Sequence, residues 1–496
     1  MFVLRPKRWL YLTHRWSGIA LCLLFACWFF SGVVMMYVPR PVLTEVERLE
    51  RLPQLVAENC CVAFEPLFPD GVVPALRMHG ERPVWAGTDA QGQPRLRYAD
   101  DGSALPDVSA GYALTVAARF AAASEQALTH QGLIHDDQWT VYRRFHPHRP
   151  LHKIAVNDAA GTELYVSSQT GEVVLATRRF ERGWNWVGSV LHWLYFTDLR
   201  RQGAVWAQLI IWLSVAGCLL ALSGLIVGTL RLRPRRRYKN GTMTPYSGLM
   251  RWHHYSGALF GVITLTWIFS GLLSMNPWGL FERARVGDDE RALLSGPPTP
   301  HPLSPAAALA ASGLAEPREL RLLWLDGQPY YRIVGAEADG VLVDKAGQRR
   351  EQLPTAALET LSVRLRNTDV ASIDWLQDYD SYYYSRDDSR DLPVLRVRFD
   401  DGIWYYLDPR TGEIAAKHNG SSRVYRWLFN GLHSLDFAFL LRNRPLWDVV
   451  VIFLSIGGFA LSLTGIVAGW RRLRPKRRRT RKASAAKANR LPRLAS

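Results

Sequence analysis

The chain contains the stretch HRWSGIALCLLFACWFFSG at residues 14–32 and repeats its pattern as HHYSGALFGVITLTWIFSG at residues 253–271. Each copy starts with a histidine and runs between two Ser-Gly pairs, and the spacing of the pairs is identical in the two copies. The residues between the pairs are apolar enough to form a membrane-spanning helix. A histidine beside a membrane span is energetically expensive, so its recurrence suggests a function.

Four stretches reach the roughly 20 apolar residues that a membrane span requires. They are Leu10–Val38, Val205–Leu230, Ser256–Met275 and Trp447–Trp470. The first is longer than the apolar core of a signal peptide and lacks a small-residue cleavage pattern, so we expect it to be retained. The sequence therefore predicts a protein with four transmembrane helices.

The positive charge is concentrated in three acid-free segments. Residues 1–15, 231–251 and 471–496 contain 4, 7 and 12 Lys or Arg residues, and because these 23 charges exceed the total of +17, the rest of the chain carries −6. With four spans all three segments fall on one side, as the positive-inside rule requires. Topology thus accounts for the charge without a nucleic-acid partner, and it predicts cytoplasmic termini with residues 41–183 and 277–424 outside.

Several features recur at one constant offset along the chain. Thr170-Gly171-Glu172 corresponds to Thr411-Gly412-Glu413, and the aromatic-rich stretch ending at His192 corresponds to the one ending at His433. We therefore predict a tandem duplication, in which each half has a span, an outside domain with a small antiparallel sheet packed on a helix, an interfacial helix and a second span. The predicted segments are 1–40 (amino terminus and span 1), 41–183 (outside domain 1), 184–230 (interfacial helix and span 2), 231–252 (basic loop), 253–276 (span 3), 277–424 (outside domain 2), 425–470 (interfacial helix and span 4) and 471–496 (basic tail).

The duplication selects two histidine positions among the thirteen histidines: His14 with His253, and His192 with His433. A pseudo-twofold axis along the membrane normal would bring each pair together, one pair near each face. Two opposed imidazoles suit a six-coordinate haem iron. Hydrogen bonding at helix ends is the alternative, and His254 is an alternative to His253. Zinc fits less well, since each pair lacks further ligands.

Other polar clusters allow more than one interpretation. His146, His148 and His152 are expected to lie on an exposed surface rather than to bind metal. The run from Asp374 to Arg386, with Tyr382, Tyr383 and Tyr384, could form a ligand-binding face or cap the edge of a sheet. Cys60 and Cys61 are adjacent, and adjacent cysteines rarely bond to each other; since no CxxC pair occurs either, we expect neither a disulfide framework nor thiol chemistry.

These motifs resemble those of the PepSY-associated transmembrane family over nearly the whole chain. The resemblance rests on the His-x-Trp/Tyr-Ser-Gly spans, the Thr-Gly-Glu turns, the Leu-His interfacial helices and the Tyr-Tyr-Tyr-Ser-Arg stretch. It implies an α+β integral membrane protein of the bacterial inner membrane with four transmembrane helices and two periplasmic PepSY-like domains. Some members of this family are haem-containing ferrisiderophore reductases that release iron as Fe(II).

Carried over, the resemblance implies two b-type haems with bis-histidine ligation by His14, His253, His192 and His433, and a ferric siderophore as substrate. Tyr382, Tyr383, Tyr384 and Arg386 are the candidate substrate-binding residues. No dinucleotide-binding G-x-G-x-x-G unit occurs, so the electron donor is expected to be a quinol or a redox protein. A non-catalytic membrane protein that binds or regulates a periplasmic partner is the alternative function, and a transporter is a weaker one.

Overall fold

The computed structural model describes residues 6–58, 60–68, 72–239, 241–338, 340–386 and 390–474. The described residues divide into two compact units. The first unit comprises the described parts of Met1–Ala26, Ala216–Leu265 and Ile456–Ser496, and the second comprises those of Cys27–Val215 and Thr266–Ser455.

The helices account for the apolar stretches and for the connections between strands. In chain order they are α1 (Pro6–Tyr37), α2 (Glu45–Arg51), α3 (Ala110–Ala121), α4 (Arg179–Asn185), α5 (Leu191–Trp193), α6 (Thr197–Arg201), α7 (Gly203–Arg231), α8 (Leu249–Ser274), α9 (Asp288–Ser295), α10 (Pro305–Ser312), α11 (Thr355–Ser362), α12 (Gly420–Arg426), α13 (Ala438–Leu441) and α14 (Arg444–Leu473). Short 3₁₀ turns occur at Glu65–Leu67, Glu125–Ala127, Arg143–His148, Pro277–Gly279 and Val363–Leu365.

Four of these helices, α1, α7, α8 and α14, are long and apolar enough to cross a membrane. They coincide with the four predicted spans, and each begins a few residues earlier than its apolar stretch. Each has residues in both compact units. A multi-pass membrane protein is therefore consistent with the fold.

The strands form three antiparallel sheets. In chain order they are β1 (Ala75–His79), β2 (Arg82–Thr88), β3 (Pro94–Tyr98), β4 (Thr129–Ile134), β5 (Leu151–Ala155), β6 (Glu163–Ser167), β7 (Val173–Thr177), β8 (Pro317–Leu325), β9 (Gln328–Gly335), β10 (Gly340–Asp344), β11 (Arg349–Arg350), β12 (Val370–Leu376), β13 (Val394–Phe399), β14 (Trp404–Leu407) and β15 (Ile414–His418). Two sheets have four strands each, in the orders β4-β5-β6-β7 and β12-β13-β14-β15, and the third has seven, in the order β11-β10-β9-β8-β1-β2-β3.

The two four-stranded sheets confirm the expectation of a small antiparallel sheet packed on a helix within residues 41–183 and again within residues 277–424. Ala113 and Ala117 of α3 share a buried cluster with the β5–β6 hairpin. Leu358 and Leu361 of α11 share another with β13 and β14. Strand β4 begins at Thr129 and β12 begins at Val370, which is the same offset that separates the two Thr-Gly turns.

The two Thr-Gly turns occupy corresponding places in these sheets. Gly171 lies between β6 and β7, and Gly412 lies between β14 and β15. Their φ angles are +70° and +71°, in the left-handed region that favours glycine. In both turns the glycine N–H donates to a carbonyl four residues earlier, at 2.9 and 2.8 Å.

The seven-stranded sheet was not predicted. It joins residues 41–183 with residues 277–424, because β1 of the first region pairs antiparallel with β8 of the second. Side chains alternate across it: Val341 and Val343 pack into one buried cluster, whereas Leu342 packs into another on the opposite face. Since β1 and β8 belong to different halves of the chain, no local pattern indicates their pairing.

The prediction that Cys60 and Cys61 form no disulfide was wrong. The structure joins these adjacent residues by a disulfide, in a loop packed against the seven-stranded sheet's core. Bonding between neighbours depends on a local backbone turn that residue types do not reveal. Cys22, Cys27 and Cys218, which lie on the long apolar helices, are free.

Of the predicted basic tail, residues 475–496 lie outside the described residues, and so do residues 1–5. The proposed orientation of the termini stays a prediction, as do the individual domain boundaries.

Candidate functional site: two histidine pairs

The first pair lies in the first unit and consists of His14 on α1 and His253 on α8. Their ring centroids are 6.3 Å apart and their planes make an angle of 40°. His14 Nδ1 is 3.4 Å from the carbonyl oxygen of Leu220 and 3.5 Å from the hydroxyl oxygen of Ser223, both on α7. His253 Nδ1 is 2.9 Å from the hydroxyl oxygen of Thr464 on α14.

The second pair lies in the second unit and consists of His192 and His433. Their ring centroids are 6.2 Å apart and their planes make an angle of 73°. His192 Nδ1 is 3.0 Å from the hydroxyl oxygen of Ser31 on α1, and His433 Nδ1 is 3.1 Å from that of Ser270 on α8. The ring of Phe429 stacks on His433 at 5.3 Å.

A π-helical turn precedes each histidine of the second pair. The turns are Trp186–Val190 and Trp427–Gly431, and each follows an α-helix, α4 or α12. Beyond each histidine the chain enters the left-handed region, at Leu194 (φ 50°) and Leu435 (φ 53°). Such π-turns are frequent at functional sites. Here they belong to the segments that present His192 and His433.

The four hydroxyl groups beside these histidines define the ring tautomers. Each hydroxyl donates to the carbonyl three residues earlier in its own helix, at 3.2 Å for Ser31, 2.9 Å for Ser223, 3.0 Å for Ser270 and 2.7 Å for Thr464. Because its proton is committed, each hydroxyl oxygen can only accept from the histidine. Nδ1 therefore carries the proton in all four rings, and the lone pair lies on Nε2.

No hydrogen bond to Nε2 of these four histidines occurs within the described part of the chain. Metal-binding histidines commonly donate their other ring N–H to a neighbouring oxygen, which fixes the ring and leaves one nitrogen for the metal. All four rings follow that pattern.

A glycine follows each of the four hydroxyl residues and lies beside the ring, and at Gly224 a side chain would obstruct the ring. A Cβ at Gly224 would lie 2.8 Å from His14 Cε1, and one at Gly465 would lie 3.6 Å from His253 Cε1. At Gly32 and Gly271 the corresponding distances to Cε1 of His192 and His433 are 3.6 and 3.5 Å. It was not predicted from the sequence that each of these glycines, with the hydroxyl residue before it, forms a cradle for an imidazole.

The first pair borders a cavity of about 420 Å³. This volume lies within the range of small-molecule and cofactor sites. The lining is mostly apolar and includes Gly18, Phe25 and Leu220, and the described residues that line it include no acid. Arg15 and Arg472 also line it, and both are exposed.

His254 does not take part in the pair. Its Nδ1 is 2.7 Å from the hydroxyl of Thr244 and its Nε2 is 2.8 Å from the carbonyl oxygen of Gly228. With both nitrogens hydrogen-bonded and the ring 6% exposed, His254 serves the packing of the basic loop. The structure places His253 opposite His14 instead.

The second pair is held in the neutral form. Desolvation, together with the neighbouring His433, lowers the pKa of His192 to about 3, against an opposing backbone contact with Trp28. Desolvation also lowers the pKa of His433, to about 4, against an opposing backbone contact with Trp267. Neutral imidazole is the form that binds a metal.

The side chains of residues 374–386, predicted to form a substrate-binding face, mainly contact other parts of the protein. Tyr383 is 3% exposed and stacks on Tyr406, so it is a core residue. The hydroxyl of Tyr384 donates to Asp436 at 2.9 Å, and Arg386 lies 3.7 Å from the same carboxylate. The Trp427 indole donates to the Tyr382 hydroxyl at 3.1 Å.

This run therefore packs against the segment that presents His433. Asp436 is 1% exposed and lies three residues after that histidine. Arg426 donates to the Asp436 carbonyl and, at 2.6 Å, to the carbonyl of Ser381. A role in positioning His433 follows from these contacts, and substrate binding by Tyr382, Tyr384 and Arg386 stays a prediction.

The expectation that His146, His148 and His152 are all exposed was wrong for His152. It is 5% exposed, and its two nitrogens contact His130 and the carbonyl of Val108, each at 3.0 Å. The alternation of β5 turns its side chain inward. His146 is exposed and His148 is half-buried.

No protein-family model matches this chain, and no characterised protein sequence matches it. The geometry of the two histidine pairs is therefore the feature that indicates a function.

Proposed function

We propose that this chain is a bacterial inner-membrane reductase that binds two b-type haems, one between His14 and His253 and one between His192 and His433. It passes electrons to a periplasmic ferric siderophore and releases iron as Fe(II). The observation that carries the proposal is the shared geometry of the two pairs. In each, two imidazoles are anchored through Nδ1 and separated by nearly the same distance.

That distance suits two ligands on opposite sides of one iron. A metal–imidazole bond of about 2 Å leaves each ring centroid roughly 3 Å from the metal, so two trans imidazoles have centroids roughly 6 Å apart. The observed separations are 6.3 and 6.2 Å. If the histidines served only as hydrogen-bonding residues at helix ends, the two pairs would have no reason to share the same ring separation.

The cavity beside the first pair supports the proposal through its shape and polarity. Its apolar lining suits a macrocycle, and the glycines there let a flat ligand approach the helices. Arg15 and Arg472 would hold the two carboxylates that project from a b-type haem.

The protein's own contribution is ligation, orientation and exclusion of water. Bound haem would supply reversible one-electron chemistry at its iron. The haems would be held by the four paired histidines, His14, His253, His192 and His433. The Ser and Thr hydroxyls would fix each ring through Nδ1 and leave the Nε2 lone pair available for the iron. Apolar helices around the pairs would limit access of water.

Topology and domain identity are part of the same proposal. The first unit contains the first histidine pair and the described basic residues of 231–251, whereas the second contains the sheets. We infer that the basic segments lie on the cytoplasmic side of the membrane and that the sheets form two periplasmic PepSY-like domains. The constant offset between corresponding strands favours origin by tandem duplication. A quinol, or a redox protein attracted to the basic face, would be the electron donor.

Reoxidation of the reduced protein tests this function. Purified protein reduced with dithionite and freed of excess reductant is mixed with a ferric siderophore and a ferrous chelator in a stopped-flow instrument. We expect the haem bands to reoxidise as the Fe(II) complex forms, with one electron lost for each iron trapped. If the protein stays reduced against hydroxamate, catecholate and carboxylate siderophores alike, the reductase assignment is wrong.

Substitution of Gly224 tests the cradle. In Gly224→Ala the new Cβ would lie 2.8 Å from His14 Cε1, so the ring must move away from its hydrogen-bonding partners. We expect haem binding at the first pair to weaken on the order of 10–100-fold, as for loss of groups that orient a metal ligand. Gly183→Ala is the matched control, because nothing lies within 4 Å of a Cβ there. Equal haem retention by both variants would contradict the cradle.

A further inference from the structure

A second cavity lies in the second unit, and none of the four paired histidines lines it. It has a volume of about 50 Å³ and is bounded by α2, β1, α3 and the Thr-Gly turn between β6 and β7. Three arginines, His79, Tyr112 and Glu172 supply its polar lining. The volume suits a group of a few heavy atoms, because sites for drug-sized ligands are several times larger.

His79 is the buried polar group of this cavity. It is 9% exposed, and its Nε2 has no hydrogen-bond partner among the described residues. The ring stacks on Tyr112 with centroids 4.6 Å apart and an interplanar angle of 18°. A buried donor or acceptor without a partner destabilises the fold, so a ligand that supplied the partner would be stabilising.

Gly171 keeps the space in front of His79 open. A Cβ at this position would lie 2.7 Å from His79 Nε2 and 2.8 Å from Tyr112 Cε1. The corresponding turn in the other four-stranded sheet differs, since a Cβ at Gly412 would meet only Leu353, at 3.0 Å. Among the described residues, the His79–Tyr112 surroundings of Gly171 are therefore not repeated at Gly412.

The charge around the cavity is positive. Arg48 is committed to Glu45 and Glu319, at 2.8 and 2.9 Å, and Glu172 is committed to Arg77. Arg51 and Arg119 are exposed and form no ion pair with an acid in the described ranges. Arg119 makes only a long contact, at 3.4 Å, with the carbonyl oxygen of Gly80.

We propose that this cavity binds a small oxyanion, either inorganic phosphate or sulfate or the carboxylate of a larger molecule. The His79 imidazole and the Tyr112 hydroxyl would donate to its oxygens from within, and the guanidinium groups of Arg51 and Arg119 would pair with its charge. Guanidinium groups bind carboxylate, phosphate and sulfate oxygens through charge-assisted hydrogen bonds. This site does not depend on haem or on the proposed reductase activity.

Bound anion would link α2, β1 and α3, so binding should stabilise the fold. Full-length protein in lipid nanodiscs is heated at constant ionic strength with sodium phosphate, sulfate or acetate replacing chloride, and its unfolding midpoint is followed by tryptophan fluorescence. A ligand that binds only the folded state raises the midpoint in a saturable way. We expect such a rise with at least one of the three anions, and its identity separates an inorganic ligand from a carboxylate.

The variants separate this site from general salt effects. Arg51→Gln combined with Arg119→Gln should raise the anion concentration for half of the shift by about tenfold or more, because two charge-assisted hydrogen-bonding groups are lost. Arg364→Gln, at an exposed arginine remote from the cavity lining, should behave as wild type. No saturable shift with any anion, or an unchanged shift in the double variant, would overturn the proposal. Haem content, measured on the same samples, reports independently on the reductase proposal.

Discussion

Replacement of His192 with alanine is expected to abolish haem binding between His192 and His433 and to leave the other haem in place. The remaining His433 would provide one axial ligand, and the low-spin signal of a bis-histidine centre needs two. His192 also stands in the cradle formed by Ser31 and Gly32, so its loss leaves no alternative ring there. Haem content and the low-spin electron paramagnetic resonance signal of purified protein measure the effect.

The reciprocal substitution makes the test specific. His14→Ala should remove the haem between His14 and His253 and retain the other, because the two pairs share no ligand and no cradle residue. His254→Ala is the control, since both nitrogens of that ring are occupied by Thr244 and Gly228 and it should bind no iron. Full haem content in both His192→Ala and His14→Ala would mean that the four histidines are helix-end residues.

Replacement of Glu319 with glutamine is expected to destabilise the second unit by about 3–5 kcal/mol, the cost of breaking a buried ion pair from one side. Glu319 is 2% exposed on β8, and its carboxylate lies 2.6 Å from Arg321, 2.9 Å from Arg48 and 3.9 Å from Arg77. Its removal leaves these guanidinium groups without their central partner. The unfolding midpoint of protein in detergent, followed by tryptophan fluorescence, should fall.

The same carboxylate predicts an acid dependence. Burial by itself raises the pKa of Glu319, but Arg48, Arg321 and Arg77 outweigh it and lower the pKa to about 2 from an ordinary value of 4.5. A lowered folded-state pKa stabilises the fold above the unfolded value and ceases to do so as the pH falls through the folded value. The difference between wild type and Glu319→Gln should therefore be largest above pH 4.5 and shrink as the pH approaches 2.

Glu316→Gln provides the control for this prediction. Glu316 is also a glutamate paired with an arginine, Arg318, at 2.7 Å, but its side chain is 63% exposed. Exposed ion pairs contribute about 0–1 kcal/mol, so its removal should change the midpoint little. Equal effects of the two substitutions would show that the Glu319 cluster is not the stabilising element we infer.

The long helices and the histidine pairs could be predicted because their signals are local or repeated. Apolar length alone locates α1, α7, α8 and α14, and the constant offset between the two halves selects His192 and His433 among thirteen histidines. Antiparallel sheets next to the Thr-Gly turns follow from short alternating runs. Each of these inferences uses residues that are close in sequence or recur in order.

The elements that were missed depend on contacts between distant parts of the chain. Pairing of β1 with β8 leaves no trace in either strand's own residues. Residues 374–386 have the polar and aromatic composition of a ligand-binding face. Tyr383 is nevertheless a buried core residue that stacks on Tyr406, which lies more than 20 residues later in the chain. The sequence did contain a signal for the hydroxyl–glycine cradles, because Ser223 follows His192 at the same spacing at which Thr464 follows His433. The spacing does not reveal, however, that these two hydroxyl groups contact His14 and His253.

The most direct test of the central claim is the absorption spectrum of the purified full-length protein, oxidised and then reduced with dithionite, with haem quantified against protein. Two pairs of imidazoles anchored through Nδ1 predict two low-spin b-type haems per chain, with narrow α and β bands on reduction. Protein that is folded, was expressed with ample haem and carries none would contradict the assignment of both histidine pairs as haem ligands.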